Sequence, residues 1–187
     1  MSLRVVDPAH SNTHWQLEDL TRRIQAQEDI EAIKQLRARY CLNVDEANWS
    51  AMGDLFAEDA VWDGGPFGRH AGRAAIQKFF DELPRALAFA VHYVMNPIIE
   101  LQGEDRATGI WYLLEPCTMR EGNQAVWGTG RYDEEYTKLT LPSAVVKRQL
   151  GHPWTGEWKF QRVKLTPGIW TPYAEGWVNK RSILDDK

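Results

Sequence analysis

The two halves of this chain repeat their apolar residues with different periods, and that contrast limits the fold more than any other feature. Ile24, Ile30, Ile33, Leu36, Tyr40 and Val44 recur mostly at steps of three and four, drawing one apolar stripe along a helix expected over residues 17–47. Charged residues such as Glu31, Lys34, Arg37 and Arg39 fill much of its remainder. A short second helix is expected over 49–56 and a third over 72–83, where Pro84 stops it. Ala60, Val61 and Trp62 read as a short strand ended by Gly64-Gly65-Pro66. From Phe89 onward the chain reads as extended: 89–101, 107–119, 124–139 and 158–165. Pro97 interrupts the first of these runs and argues for an edge or a bulge. Residues 1–16 read as a flexible arm, 140–156 as a long connection, and 167–187 as a tail bearing Trp and Pro.

Helices first and long antiparallel strands later define an α+β class rather than a parallel α/β one. Long strands curl because sheets twist. A curved antiparallel sheet wrapped as a cone around the long N-terminal helix, with two shorter helices, encloses a pocket. One domain over 17–187 follows, a size compatible with a single core.

Composition narrows the partners. The net charge is −4 and the Lys and Arg residues are scattered, which argues against nucleic acid or an anionic membrane as partner. Only Cys41 and Cys117 are present, without a disulfide framework or metal-like spacing, which suits a reducing cytoplasm. Met1 to Leu20 has no apolar h-region, and no apolar run approaches the ~20 residues of a membrane span. Nine Trp suit a large core or an aromatic-lined pocket. Trp62, Phe67, Trp111 and Trp127 are the candidate pocket walls for a small hydrophobic organic substrate.

Several polar residues are candidates for chemistry. His92 stands among apolar neighbours, Val91 and Tyr93, within the first extended run. Imidazole is the side chain best matched to proton transfer near neutral pH, although position alone favours a satisfied core histidine. Asp45 lies near the C-terminal end of the long helix, where the helix dipole disfavours a carboxylate, or else it caps the next turn. Glu115 shares a strand face with Trp111 and Leu113 by the period of two. Arg162, between Gln161 and Val163, either faces the pocket or faces water. Gly128-Thr129-Gly130 is too short for a phosphate loop and reads as a close approach or bend. Dinucleotide, P-loop, nucleophile-elbow and metal-ligand patterns are all missing.

The segments Asp29-Ile30-Glu31-Ala32-Ile33-Lys34 and Ala107-Thr108-Gly109-Ile110-Trp111-Tyr112-Leu113 resemble bile-acid 7α-dehydratase. His92-Tyr93 with Asn96, Glu121-Gly122-Asn123-Gln124 and Trp158-Lys159-Phe160 resemble hexachlorocyclohexane dehydrochlorinase. Together with scytalone dehydratase these enzymes are of the SnoaL-like branch of the nuclear transport factor 2-like superfamily, and the resemblance runs from about Asp29 to Trp177. It implies that His92 is a catalytic histidine, Asp45 its dyad partner, Tyr40 a pocket tyrosine, and Glu115 and Arg162 assisting groups. No single relative supplies all five residues. The implied activity is a lyase of dehydratase type on a hydroxy-carbonyl, steroid-like, aromatic or polyketide substrate, with no metal and no cofactor. An isomerase, a polyketide cyclase, or a non-catalytic binding or β-subunit-like protein uses the same fold. The resemblance also implies a homotrimer, with Trp170, Pro172, Tyr173 and Trp177 as a lid, a subunit contact or a packed tail.

Overall fold

The fold is that of a computed structural model, which describes residues 8–140 and 156–184. The start of the expected arm and the interior of the connection expected at 140–156 lie outside the described residues.

Helix α1 runs Pro8–Asp45, so it begins well before the expected residue 17, and much of the expected arm is helical. Its C-terminal half buries Asp29, Ile33, Leu36, Arg37, Tyr40, Cys41 and Val44, one continuous helical face. Arg37 is therefore on the buried stripe rather than in the polar remainder. The upstream half leaves Trp15, Leu17, Leu20 and Ile24 exposed. The helix ends in a Schellman turn: Ala47 takes φ 58°, Asn48 N–H donates to the Asn43 carbonyl at 2.7 Å, and Ala47 N–H donates to that of Val44 at 3.1 Å. The expected second helix is two 3₁₀ turns, Trp49–Ala51 and Gly53–Leu55. Helix α2, Arg73–Glu82, buries Ile76 and Phe80, and its last residue stands just short of Pro84, as the sequence signals.

Seven strands follow or intervene: β1 Phe56–Asp63, β2 Arg69–Ala71, β3 Leu87–Ala90, β4 Tyr93–Leu101, β5 Arg106–Met119, β6 Gln124–Thr140 and β7 Gly156–Pro172. They form one sheet in the order β2-β1-β7-β6-β5-β3, with β4 also paired to β5. The sheet is mixed, not wholly antiparallel, because β1 runs parallel to β7. It curls around α1 and α2 as a half-barrel. Pro97 sits where the β4–β5 register slips between Met95 and Ile98, with Asn96 at φ 54°, on a strand paired only to β5. Strand β7 extends to Pro172, so Trp170 and Pro172 belong to the sheet rather than to a tail.

The inner face is aromatic. Phe56, Phe80 and Phe160 pack around Tyr40, whose ring meets those of Phe80 and Phe160 edge-on at 5.8 Å. Burying each such ring contributes about 1.5–3 kcal/mol. Gly128 and Gly130 let strands approach closely: a Cβ would meet the Trp170 ring at 2.7 Å from the first and Leu165 Cδ1 at 2.7 Å from the second. No helix among the described residues is long and apolar enough to cross a membrane.

Candidate active site

The site starts from a proline. Pro116 sits in β5 opposite the break between β3 and β4. It accepts a hydrogen bond from Val91 N–H at 3.2 Å but has no N–H to return. Pairing with β5 therefore stops at Ala90 opposite Cys117 and resumes at Tyr93 opposite Leu114. Val91 and His92 fall in that gap, so His92 lies between strands and not inside one, as its sequence neighbours suggested. Its N–H, freed from the ladder, donates to Asp45 Oδ2 at 3.0 Å and Oδ1 at 3.1 Å.

The imidazole turns the same way. His92 Nδ1 is 2.7 Å from Asp45 Oδ1, with the His92 side chain 6% and the Asp45 side chain 21% exposed. A carboxylate only accepts, so Nδ1 carries the hydrogen and Nε2 keeps its lone pair. Asp45 is thus the last residue of α1 and binds backbone and ring of His92 rather than capping the following turn. His92 Nε2 is 3.7 Å from Glu115 Oε2, near but beyond hydrogen-bond reach. Burial raises the pKa of Glu115. The neighbouring His92 partly opposes that shift, and the Asp45 charge adds to it.

These groups face a cavity of about 210 Å³ between α1, α2 and the sheet. Its wall is mainly apolar, with Phe67, Phe80, Leu165 and Trp170 among the lining residues. His92, Glu115, Tyr40 and Tyr132 supply polar groups. Trp62 also lines it and donates Nε1–H to the Tyr40 hydroxyl at 3.1 Å, which leaves the phenolic hydrogen for another acceptor. Among the described residues no cluster of three or more His, Cys, Asp or Glu side chains is placed to hold a metal ion.

The structure therefore gathers Tyr40, Trp62, Phe67, His92 and Glu115 on one cavity wall, with Asp45 behind His92. Three expected residues are elsewhere. Arg162 points outward, 47% exposed, 3.8 Å from Glu135. The register between β6 and β7 slips so that Gln161 is an extra residue after Phe160. That bulge turns Val163 inward and Arg162 out, against simple alternation. Trp111 faces inward but lies deeper in the core, donating Nε1–H to the Tyr136 hydroxyl at 2.9 Å. Trp127 has outward parity, since Val126 and Gly128 are buried on either side, and its ring lies 6.4 Å from that of exposed Tyr173.

Sequence reasoning missed Arg37, Tyr132 and Glu134. Arg37 Nη1 stands 3.0 Å from Glu134 Oε1, both side chains wholly buried, and the Tyr136 hydroxyl donates to the other Glu134 oxygen. The available signal was parity: Tyr132, Glu134 and Tyr136 alternate in step with buried Val126 and Gly130 along β6.

Comparison with known proteins adds the following. The SnoaL-like domain family pattern matches residues 25–164. The hexachlorocyclohexane dehydrochlorinase LinA superposes with a TM-score of 0.69 at 22% identity, over 81% of this chain and 94% of that one. A Novosphingobium aromaticivorans protein described as a scytalone dehydratase gives 0.68 at 20% identity, over 81% and 91%. Another from that organism, described as an aromatic ring hydroxylase, gives 0.62 at 25% identity, over 81% and 96%. At these identities the likeness is one of fold.

Proposed function

This chain belongs to the SnoaL-like domain family, and on that premise we propose that it is a cofactor-independent lyase acting by β-elimination on a small hydrophobic hydroxy-carbonyl compound. The observation that carries the reading is the His92–Asp45 pair at 2.7 Å, with the second ring nitrogen turned to a largely apolar cavity. His92 Nε2 takes a proton from the carbon beside the carbonyl, and Asp45 holds the tautomer and stabilises the imidazolium that forms. The freed electron pair passes through an enolate whose oxygen accepts from Tyr40. As it returns to form the new double bond, the carbon–oxygen bond to the leaving hydroxyl breaks. Glu115 in its protonated form, which burial favours by raising its pKa, gives that hydroxyl its proton and water departs. The proton on His92 then restores Glu115.

His92→Ala tests the assignment. Turnover is expected to fall at least about 10²–10⁴-fold, the usual contribution of a positioned acid or base. Unchanged turnover removes His92 from the mechanism. Mass analysis of the product separates the reactions these groups allow: loss of one water marks elimination, and equal mass marks isomerisation or ring closure. A non-catalytic, β-subunit-like role has one observation in its favour, the likeness to the protein described as an aromatic ring hydroxylase. Co-purification with a larger iron–sulfur subunit is its signature.

The protein works as a homo-oligomer in this reading. Tyr93, Ile98 and Tyr112 stand exposed on the β4–β5 side of the sheet, with Phe89 nearby on β3, and such apolar clustering marks association sites. Light scattering on the purified protein is expected to return a trimer mass, and a monomer mass overturns this part.

A further inference from the structure

Arg37 has no part in the reaction just described, yet it heads the wholly buried side chains of the core by volume. Its guanidinium carbon lies 4.3 Å from the Tyr40 ring centroid and 3.8 Å from that of Tyr132. The cation is thus within cation–π range of two aromatic rings, the close packing in which such contacts are strongest away from water. Its partner Glu134 is near in distance but poorly aligned, and none of the three guanidinium nitrogens has a hydrogen-bonded acceptor among the described residues. The usual satisfaction of a buried arginine by a forked carboxylate is absent here. What the guanidinium does meet is the faces of two phenols, and both of those tyrosines line the cavity. The other oxygen of the Glu134 carboxylate accepts from Tyr136, which in turn accepts from Trp111. The Arg37 guanidinium thus lies against both Tyr40 and Tyr132.

We propose that Tyr40 and Tyr132, backed by the Arg37 cation, form an oxyanion-binding wall of the cavity, selective for a phenolate- or enolate-type oxygen. A phenol that donates to a developing anion takes on part of its charge, and a fixed cation against the ring stabilises that state without reorganising. Arg37 is here a positioning residue, since it meets the ligand only through the two tyrosines. Burial holds both phenols above their ordinary titration range, while the Arg37 charge pulls each back toward it. The proposal rests on the elimination reading for its natural ligand, whose enolate oxygen would occupy this wall, but the binding it asserts needs no turnover.

The test uses 4-nitrophenol, whose ionised and neutral forms differ in visible absorbance. The purified protein is titrated with it across pH, alongside His92→Ala, Tyr132→Phe and the double variant Arg37→Met with Glu134→Gln. The pair is replaced together because removing one partner strands a buried charge. The wild-type protein is expected to bind phenolate over phenol, and the double variant to lose about tenfold or more of that preference. Tyr132→Phe loses part of it, and it carries the test should the double variant fail to fold. His92→Ala keeps the preference while losing turnover, which separates the wall from the base. A double variant or a Tyr132→Phe protein with the wild-type preference overturns the proposal, as does a wild-type protein that ignores the probe or favours its neutral form. Loss of turnover in His92→Ala without any phenolate preference leaves the lyase reading standing and this one fallen.

Discussion

Helix α1 carries two inward-turned carboxylates, one near each end of its buried stripe, and they do opposite things. Asp29 Oδ1 meets Lys138 Nζ at 2.8 Å and accepts from Trp158 Nε1 at 2.9 Å. Both partners are donors only, so nothing there can exchange roles. Asp45 instead meets an imidazole, whose second nitrogen looks into a cavity beside the Glu115 carboxyl. The same residue type on the same helix thus closes one end of the half-barrel and, in the proposed reaction, prepares the other for proton transfer. Burial of a carboxylate is not the mark of a reactive site. The mark is a partner that can both give and take a proton and that has somewhere to send it.

That comparison can be broken at each end. The largest effect is expected from Asp45→Asn, which keeps an acceptor for the His92 N–H but no longer enforces the reactive tautomer. Turnover should drop about 10²–10⁴-fold with little change in melting temperature. Asp29→Ala should do the reverse. It strands the Lys138 ammonium, only 9% exposed, and leaves the Trp158 N–H without its carboxylate. Denaturant titration should show a loss of about 3–5 kcal/mol, while turnover per folded molecule holds. Equal effects of the two variants on turnover would erase the distinction. The smallest effect concerns Glu115. Burial raises its folded pKa above the unfolded value near 4.5, so the folded state binds the extra proton. Its contribution to stability is full below 4.5 and fades as pH climbs through the raised folded value. Glu115→Gln should flatten that decline in unfolding free energy measured across pH.

Much of the fold was written in local pattern. The stripe from Ile33 to Val44, the stop at Pro84 and the irregularity at Pro97 each follow from one residue type in one backbone setting. The facing of Arg162 could not be counted by alternation, because a slip resets it. Gln161 is one extra residue, and it sends Arg162 to the surface. The parallel pairing of β1 with β7 has no local signature at all, because it depends on where a distant strand ends up. The start of α1 was obscured by polar residues, although Pro8 is a standard first-turn residue. Of the site, the residues on the wall could be named from resemblance, but their arrangement could not. The His92–Asp45 contact requires the gap opposite Pro116, and the Arg37 contacts require the inward face of β6. Arg37 itself obeys the helical spacing of the stripe, and its charge is what hid it.

The pairing of β1 with β7 sets the order in which this molecule can be assembled during synthesis. Phe56 and Phe160 are partners across that seam, so the sheet stays unclosed until β7 has left the ribosome. Until then one edge of β1 and one edge of β6 have no mate. Such late, long-range closure is slow and exposes sticky surface, which makes the nascent protein a natural client for chaperones.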